Sequence, residues 1–388
     1  MGDILLRNVR ICLPEKLVTG YIGITNGEIV EIGEDKPSLQ YDQEVDGKNQ
    51  YALPGFIDGH IHGAAGADTM DATQESLHKM AAWLPNEGTT AFLATTITQE
   101  KEAIETALEQ VRLYIHQPEE AELIGVHLEG PFVNPVKAGA QPLAHICKPD
   151  TELFQKWQKL SGNKIKVVTL APECDKDYEL TQLLASEQIT VSAGHTDASF
   201  EQIKEAAEQG ITQLTHLCNQ MNGIHHRDIG AVGAGFLLPA LMSELIADGI
   251  HVAPEMLRLI YQNVGSDRLI LITDSLRGKG LEDGTYDLGG QAVNVKDGKA
   301  LLPDGTLAGS MLQMKDAIRN MAAYADVSVA DIAKMTAENP AKQYGIYDRK
   351  GSLEIGKDAD IVLLDDQLTL QATYCRGNLA YHKEEESC

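Results

Sequence analysis

The sequence predicts an α/β protein built on a closed parallel (β/α)8 barrel of the TIM type, with a small β-sandwich assembled from its two ends. Three observations predict it. Apolar β-type runs alternate with amphipathic helical stretches through the middle of the 388-residue chain, the pattern of successive βαβ units. Those runs are apolar almost throughout, as in strands covered on both faces. Both ends instead carry short β-type runs separated by turn signals.

At the N-terminal end, residues 4–11, 20–25 and 28–33 read as strands, and Asn26-Gly27 reads as a hairpin turn. Residues 360–365 and a strand-like run after them repeat that character. Residues 1–52 and 351–388 are therefore assigned to the sandwich and 53–350 to the barrel. Eight barrel runs follow in order, at 56–57, 89–96, 123–129, 166–171, 189–194, 213–217, 241–248 and 268–274. An open doubly wound sheet is the competing arrangement. The Gly-rich stretch 277–309 reads as an insertion after the eighth run, part hairpin and part active-site loop.

A formal charge of −25 argues against a broad basic face for nucleic acid or an anionic membrane, though not against a local pocket for a small anion. No apolar run has the length of a membrane span. The start, Met1-Gly-Asp-Ile-Leu-Leu-Arg7, lacks the regions of a signal peptide. The six cysteines contain no C-x-x-C pair, which is reduced, cytoplasmic usage and no cysteine zinc site.

Chemistry concentrates where barrel enzymes keep it, at the C-terminal ends of the strands. The segment Leu53-Pro-Gly-Phe-Ile-Asp-Gly-His-Ile-His-Gly63 is an apolar run ending in His-x-His. A period of two sends His60 and His62 from the same face, and two imidazoles on one rigid strand end make half a metal site. An isolated His-x-His is equally well a surface turn, so the other strand ends decide. Glu129 ends the third run, His195 the fifth, His216 the sixth and Asp274 the eighth. The 21 residues from His195 to His216 are what one helix, its loops and the next strand require. Four imidazoles and a carboxylate between them suit a two-metal site bridged by Glu129, or one metal beside a vestigial second position. Asp274 is placed to take a proton from a metal-activated water and return it to a leaving nitrogen, or to serve as a further ligand.

These residues carry a resemblance. Pro54-Gly-Phe-Ile-Asp-Gly-His-Ile-His-Gly63, His127-Leu-Glu-Gly-Pro-Phe132, Ser192-Ala-Gly-His-Thr-Asp197, Thr215-His-Leu-Cys-Asn-Gln-Met221, Ile246-Ala-Asp-Gly-Ile-His251, Thr273-Asp-Ser275 and Leu307-Ala-Gly-Ser310 together resemble the amidohydrolase superfamily. Within it, they resemble the branch that deacetylates N-acetylglucosamine 6-phosphate. The resemblance runs essentially from end to end, and Leu128-Glu-Gly-Pro131 supplies a glutamate where many relatives use a carboxylated lysine. It implies one or two divalent ions per subunit, zinc or iron first and manganese or cobalt next. It also implies that Asn219 and the backbone at Gln220 meet a sugar phosphate, with Arg227 and His251 giving charge-assisted hydrogen bonds. Ala140 and the turn Ala308-Gly309-Ser310 would line the sugar and acetyl side. The family's equivalent of Arg227 comes from a neighbouring subunit, which implies a homodimer. The plainer reading of Arg227, within His225-His226-Arg227, is a solvated loop charge.

The chain departs from the family pattern at three places. Cys218 and Gln220 stand where many relatives have an aromatic residue and alanine, and Gln141 stands where some place a histidine that polarises the acetyl carbonyl. Competing functions are deacetylation of N-acetylgalactosamine 6-phosphate, another amidohydrolase activity of the dihydroorotase or N-acyl amino-acid deacylase type, and an inactive barrel used for assembly.

Overall fold

The computed structural model describes residues 3–384, so Cys388 lies outside the described residues. Five strands open the chain: β1 (Ile4–Cys12), β2 (Leu17–Thr25), β3 (Glu28–Gly33), β4 (Gln43–Asp46) and β5 (Tyr51–Pro54). Eight later strands form the barrel: β6 (Phe56–Ile61), β7 (Thr89–Thr95), β8 (Glu122–Glu129), β9 (Ile165–Leu170), β10 (Thr190–Ala193), β11 (Ile211–Leu214), β12 (Met242–Ile246) and β13 (Leu269–Ile272). Neighbours pair in sequence order, and every pair is parallel. The apolar character that marked these runs has a physical cause, since β6, β7 and β13 are buried at every position. The ring closes just past the strand ends. Asp274 N donates to His60 O at 2.8 Å, and His62 N and Gly63 N donate to Ser275 O at 3.0 and 2.9 Å.

Helices α1 (Gln74–Trp83), α2 (Lys101–Leu113), α3 (Thr151–Leu160), α4 (Glu179–Ser186), α5 (Phe200–Gln209), α6 (Gly230–Leu237) and α7 (Pro254–Val264) each separate two successive barrel strands, and α8 (Met314–Ala325) follows the last. Their starts are written locally. Thr73 and Asp150 accept from backbone N–H groups of α1 and α3, and Ser199 with Gln202 forms a reciprocal capping box on α5. The insertion folds as a three-stranded antiparallel sheet, β14 (Gly284–Leu288), β15 (Gln291–Lys296) and β16 (Lys299–Leu301). It packs Leu288, Val293 and Val295 on Ile97 and Leu276. At its root, Lys279 Nζ meets Glu87 Oε1 at 2.8 Å with both side chains fully buried.

Strands β17 (Ile361–Leu364), β18 (Leu370–Cys375) and β19 (Asn378–His382) bring the chain back to its start. Both ends join one sheet in the order β19-β18-β17-β5-β1-β2-β3, with β4 beside the first half of β1. Leu6, Val9, Ile11, Ile22, Ile361 and Leu363 give it a core of its own. Cys12, Cys147, Cys174, Cys218 and Cys375 are all free thiols, and no helix among the described residues is long and apolar enough to cross a membrane.

Candidate active site

His60 lies near the end of β6 and His62 just beyond it, Glu129 ends β8, and His195, His216 and Asp274 each lie two residues past β10, β11 and β13. All six are buried. His195, His216 and Asp274 hold left-handed backbone, with φ of 47°, 32° and 49°. Such a conformation costs a non-glycine residue on the order of 1–3 kcal/mol and survives only where the surroundings enforce it. Neighbouring backbone does so here. His195 O accepts from Asn134 N at 2.9 Å, and Asp274 O accepts from Ser310 N at 2.8 Å. Gly309, itself at φ +63°, lets that second contact form, because a side chain there would begin 3.2 Å from Asp274 O.

Two carboxylates organise the four rings. Glu129 Oε1 lies 3.1 Å from His195 Nε2, 3.2 Å from His216 Nε2 and 3.5 Å from His60 Nε2. Its other oxygen lies 3.4 Å from His62 Nε2. Asp274 Oδ1 sits 3.5 Å from His60 Nε2 and 3.3 Å from His62 Nε2. The ligand atoms thus fall into two groups, Glu129 with His195 and His216, and His60 with His62 and Asp274, and Glu129 faces both.

The donor chemistry fits a divalent cation. His195 Nδ1 donates to Lys137 O at 2.8 Å, so its neutral ring presents a lone pair at Nε2. That nitrogen faces His216 Nε2 at 3.1 Å. His60 Nε2 is buried without a hydrogen-bond partner. Electrostatics point the same way. Burial opposes charge on His62, yet Asp274 and Glu129 push its pKa up to about 9, and Glu129 and Asp274 drive His60 well above its ordinary range against the same burial. Burial likewise opposes ionisation of Asp274, but His60 and His62 hold its carboxyl at about 2. The cluster demands positive charge at its centre, which protons or a metal ion satisfy.

A cavity opens on this cluster. Its wall includes Ala140, Gln141, Asn219, Gln220, His251 and Gly309, six of the residues singled out in the sequence. Ala308 and Ser310 are buried behind Gly309, and Ser310 Oγ donates to Thr273 O. Arg227 does not line the cavity. It is exposed on its loop, with Nη1 2.7 Å from His226 Nε2. His127 is hydrogen-bonded at both ring nitrogens, to Gly59 O and Thr169 Oγ1.

Several contacts escaped the sequence reading. Gln141 donates from Nε2 to Glu129 Oε2 at 2.8 Å and accepts from Thr98 N at 2.8 Å. Asp248 accepts from His251 Nδ1 at 2.6 Å and from His251 N at 2.8 Å, fixing which ring nitrogen is left for a ligand. Glu244, inside the seventh apolar run, touches His60. The one available signal was an acidic residue interrupting an apolar strand.

Comparison with known proteins adds to the geometry. The amidohydrolase family model matches residues 51–380. The chain is 47% identical to N-acetylglucosamine-6-phosphate deacetylase of Bacillus subtilis (strain 168), over 99% of this chain and 98% of that one. N-acetylglucosamine-6-phosphate deacetylase from Thermotoga maritima superposes with a TM-score of 0.88 at 35% identity, covering 98% of this chain and 100% of that one. A mutant of the Mycobacterium smegmatis N-acetyl-D-glucosamine-6-phosphate deacetylase, in complex with N-acetyl-D-glucosamine-6-phosphate, gives 0.91 at 28% identity, with 98% and 100% covered. The chain belongs to the amidohydrolase family.

Proposed function

We propose that this protein hydrolyses N-acetyl-D-glucosamine 6-phosphate to D-glucosamine 6-phosphate and acetate. The observation that carries the reading is the six-residue cluster at the barrel mouth, opening on a cavity lined also by Asn219, Gln220 and His251. End-to-end identity to curated deacetylases supports the substrate. Residues 53–350 form the catalytic unit, and 1–52 with 351–388 form the accessory β unit.

Glu129, His195 and His216 would hold one divalent ion and His60, His62 and Asp274 a second, zinc or iron before manganese or cobalt. Ions there would acidify a water and polarise the amide carbonyl. Asp274 is the proton carrier. A carboxylate is ordinarily ionised at neutral pH, as an acceptor must be, and Asp274 passes the proton to the amine nitrogen as the C–N bond breaks. Asn219, the backbone at Gln220, and His251 oriented by Asp248 bind the phosphate, while Ala140, Ala308, Gly309 and Ser310 shape the acetyl side. Arg227, exposed and outside its own cavity, reaches the cavity of a second subunit in a homodimer. The setting is the cytoplasm.

Incubating the purified protein with N-acetylglucosamine and N-acetylgalactosamine, each with and without the 6-phosphate, and following acetate tests the reading. Release is expected fastest from N-acetylglucosamine 6-phosphate. Equal rates with and without phosphate would overturn it, and a faster rate on the galactosamine epimer would reassign the substrate.

A further inference from the structure

Behind the His60 ring of the candidate ligand cluster lies a carboxylate that the proposed chemistry does not use. Glu244 projects from β12 into the barrel and is fully buried. A carboxylate is expensive to bury without a partner. Among the described residues no lysine or arginine pairs with it, and its ion-pair contacts are His60 at 3.1 Å and His127 at 3.9 Å. Both oxygens accept N–H donors. Oε1 takes Gln213 Nε2 at 2.7 Å, and Oε2 takes the backbone N–H of His216 at 3.3 Å together with His60 Nδ1 at 3.1 Å.

The last contact decides which tautomer a neutral His60 ring adopts. With Nδ1 donating downward, the neutral ring carries its lone pair on Nε2, which is buried without a hydrogen-bond partner and lies 3.5 Å from both Glu129 Oε1 and Asp274 Oδ1. A carboxylate behind a ligating imidazole fixes its tautomer and raises its basicity. The same oxygen tethers the backbone of His216, a residue held at φ 32°, so one side chain touches a member of each ligand group. Glu244, His60 and His127 do not form a third ion site, because His127 has both ring nitrogens engaged.

We propose that Glu244 is the positioning residue for the His60–His62–Asp274 position, and that it sets how tightly that position holds a divalent cation. This rests on the two-ion reading of the cluster. The test titrates metal-free protein with zinc or manganese alone, reading stoichiometry by elemental analysis and affinity by competition with a chromogenic chelator. Wild type, Glu244→Gln, Glu244→Ala and His60→Ala are compared, with the melting temperature of each apoprotein. Wild type should bind two ions and His60→Ala one. Glu244→Gln, isosteric and neutral, should weaken one ion by about 10- to 100-fold and shift the other by less than about threefold, with the apoprotein's melting little changed. Glu244→Ala should weaken the same ion further.

If His60→Ala loses an ion while both Glu244 variants bind like wild type, the role of Glu244 is overturned and the two-ion reading stands. Equal weakening of both ions with a large fall in melting temperature would make Glu244 a general structural residue and overturn the proposal. One ion in wild type, or two in His60→Ala, would overturn the two-ion reading and the role of Glu244 with it.

Discussion

Gln141 clamps Glu129: its amide nitrogen donates to Glu129 Oε2 at 2.8 Å while its amide oxygen is held by Thr98 N at the same distance. The Gln141 side chain thus commits one N–H to the carboxylate that faces both ligand groups. Gln141→Leu should weaken metal retention by about 10- to 100-fold, and added metal should restore part of the lost turnover. Unchanged metal affinity with a raised KM would assign Gln141 to substrate instead.

Asp274→Asn should keep the ion of the Glu129 group and lose about 100- to 10,000-fold in kcat, because an amide cannot carry the proton. Elemental analysis and steady-state kinetics on one preparation separate the two effects. A loss below about threefold would rule out Asp274 as the proton carrier.

The proposed phosphate contacts of His251 and Arg227 can be tested one at a time. Alanine at either should cost roughly 1.5–3 kcal/mol, about 10- to 150-fold in kcat/KM, on the phosphorylated sugar and far less on N-acetylglucosamine. If Arg227 serves a partner's cavity, mixing Arg227→Ala with Asp274→Asn should restore up to about a quarter of wild-type activity through heterodimers with one intact site. No recovery despite demonstrated subunit exchange would remove Arg227 from the partner's site.

The insertion is anchored by charge. Lys279→Met strands the buried Glu87 carboxylate and should destabilise the protein by about 3–5 kcal/mol, with Lys279→Met/Glu87→Gln costing less than the single change. Chemical denaturation measures both. A double variant as unstable as the single one would show that packing, not charge, sets the loss.

Acid stability should depend on Glu122. Burial opposes its charge, yet the Arg349 fork at 2.7 and 2.8 Å and Lys350 at 3.0 Å hold its carboxyl at about 2. Because the folded value is depressed, the stabilisation is complete above the unfolded value of about 4.3 and fades as pH falls through the folded one. Glu122→Gln should be less stable by roughly 2–3 kcal/mol at pH 7. The gap should close between about pH 5 and pH 2. A gap that persists at pH 2 would place the effect in packing.

Much of the architecture was legible because burial on both faces leaves a local record. Strand β13 is apolar at every position and β7 carries only small or apolar residues, and polar residues at strand ends mark the barrel mouth, so His60, His62, Glu129, His195, His216 and Asp274 could be read together. The left-handed backbone at His195, His216 and Asp274 left no such record, since distant neighbours impose it. Glu244 lies 184 positions from His60, and Lys279 lies 192 from Glu87. Nothing in either's own segment names its partner. By itself, the sequence determined the eight barrel strands and the polar residues at their ends. Tertiary structure alone decided which carboxylate supports which imidazole, that Gln141 turns to Glu129, and that Arg227 stands outside its own cavity. Those choices depend on side-chain direction and on closure of the ring between β6 and β13, where strands far apart in the chain become neighbours.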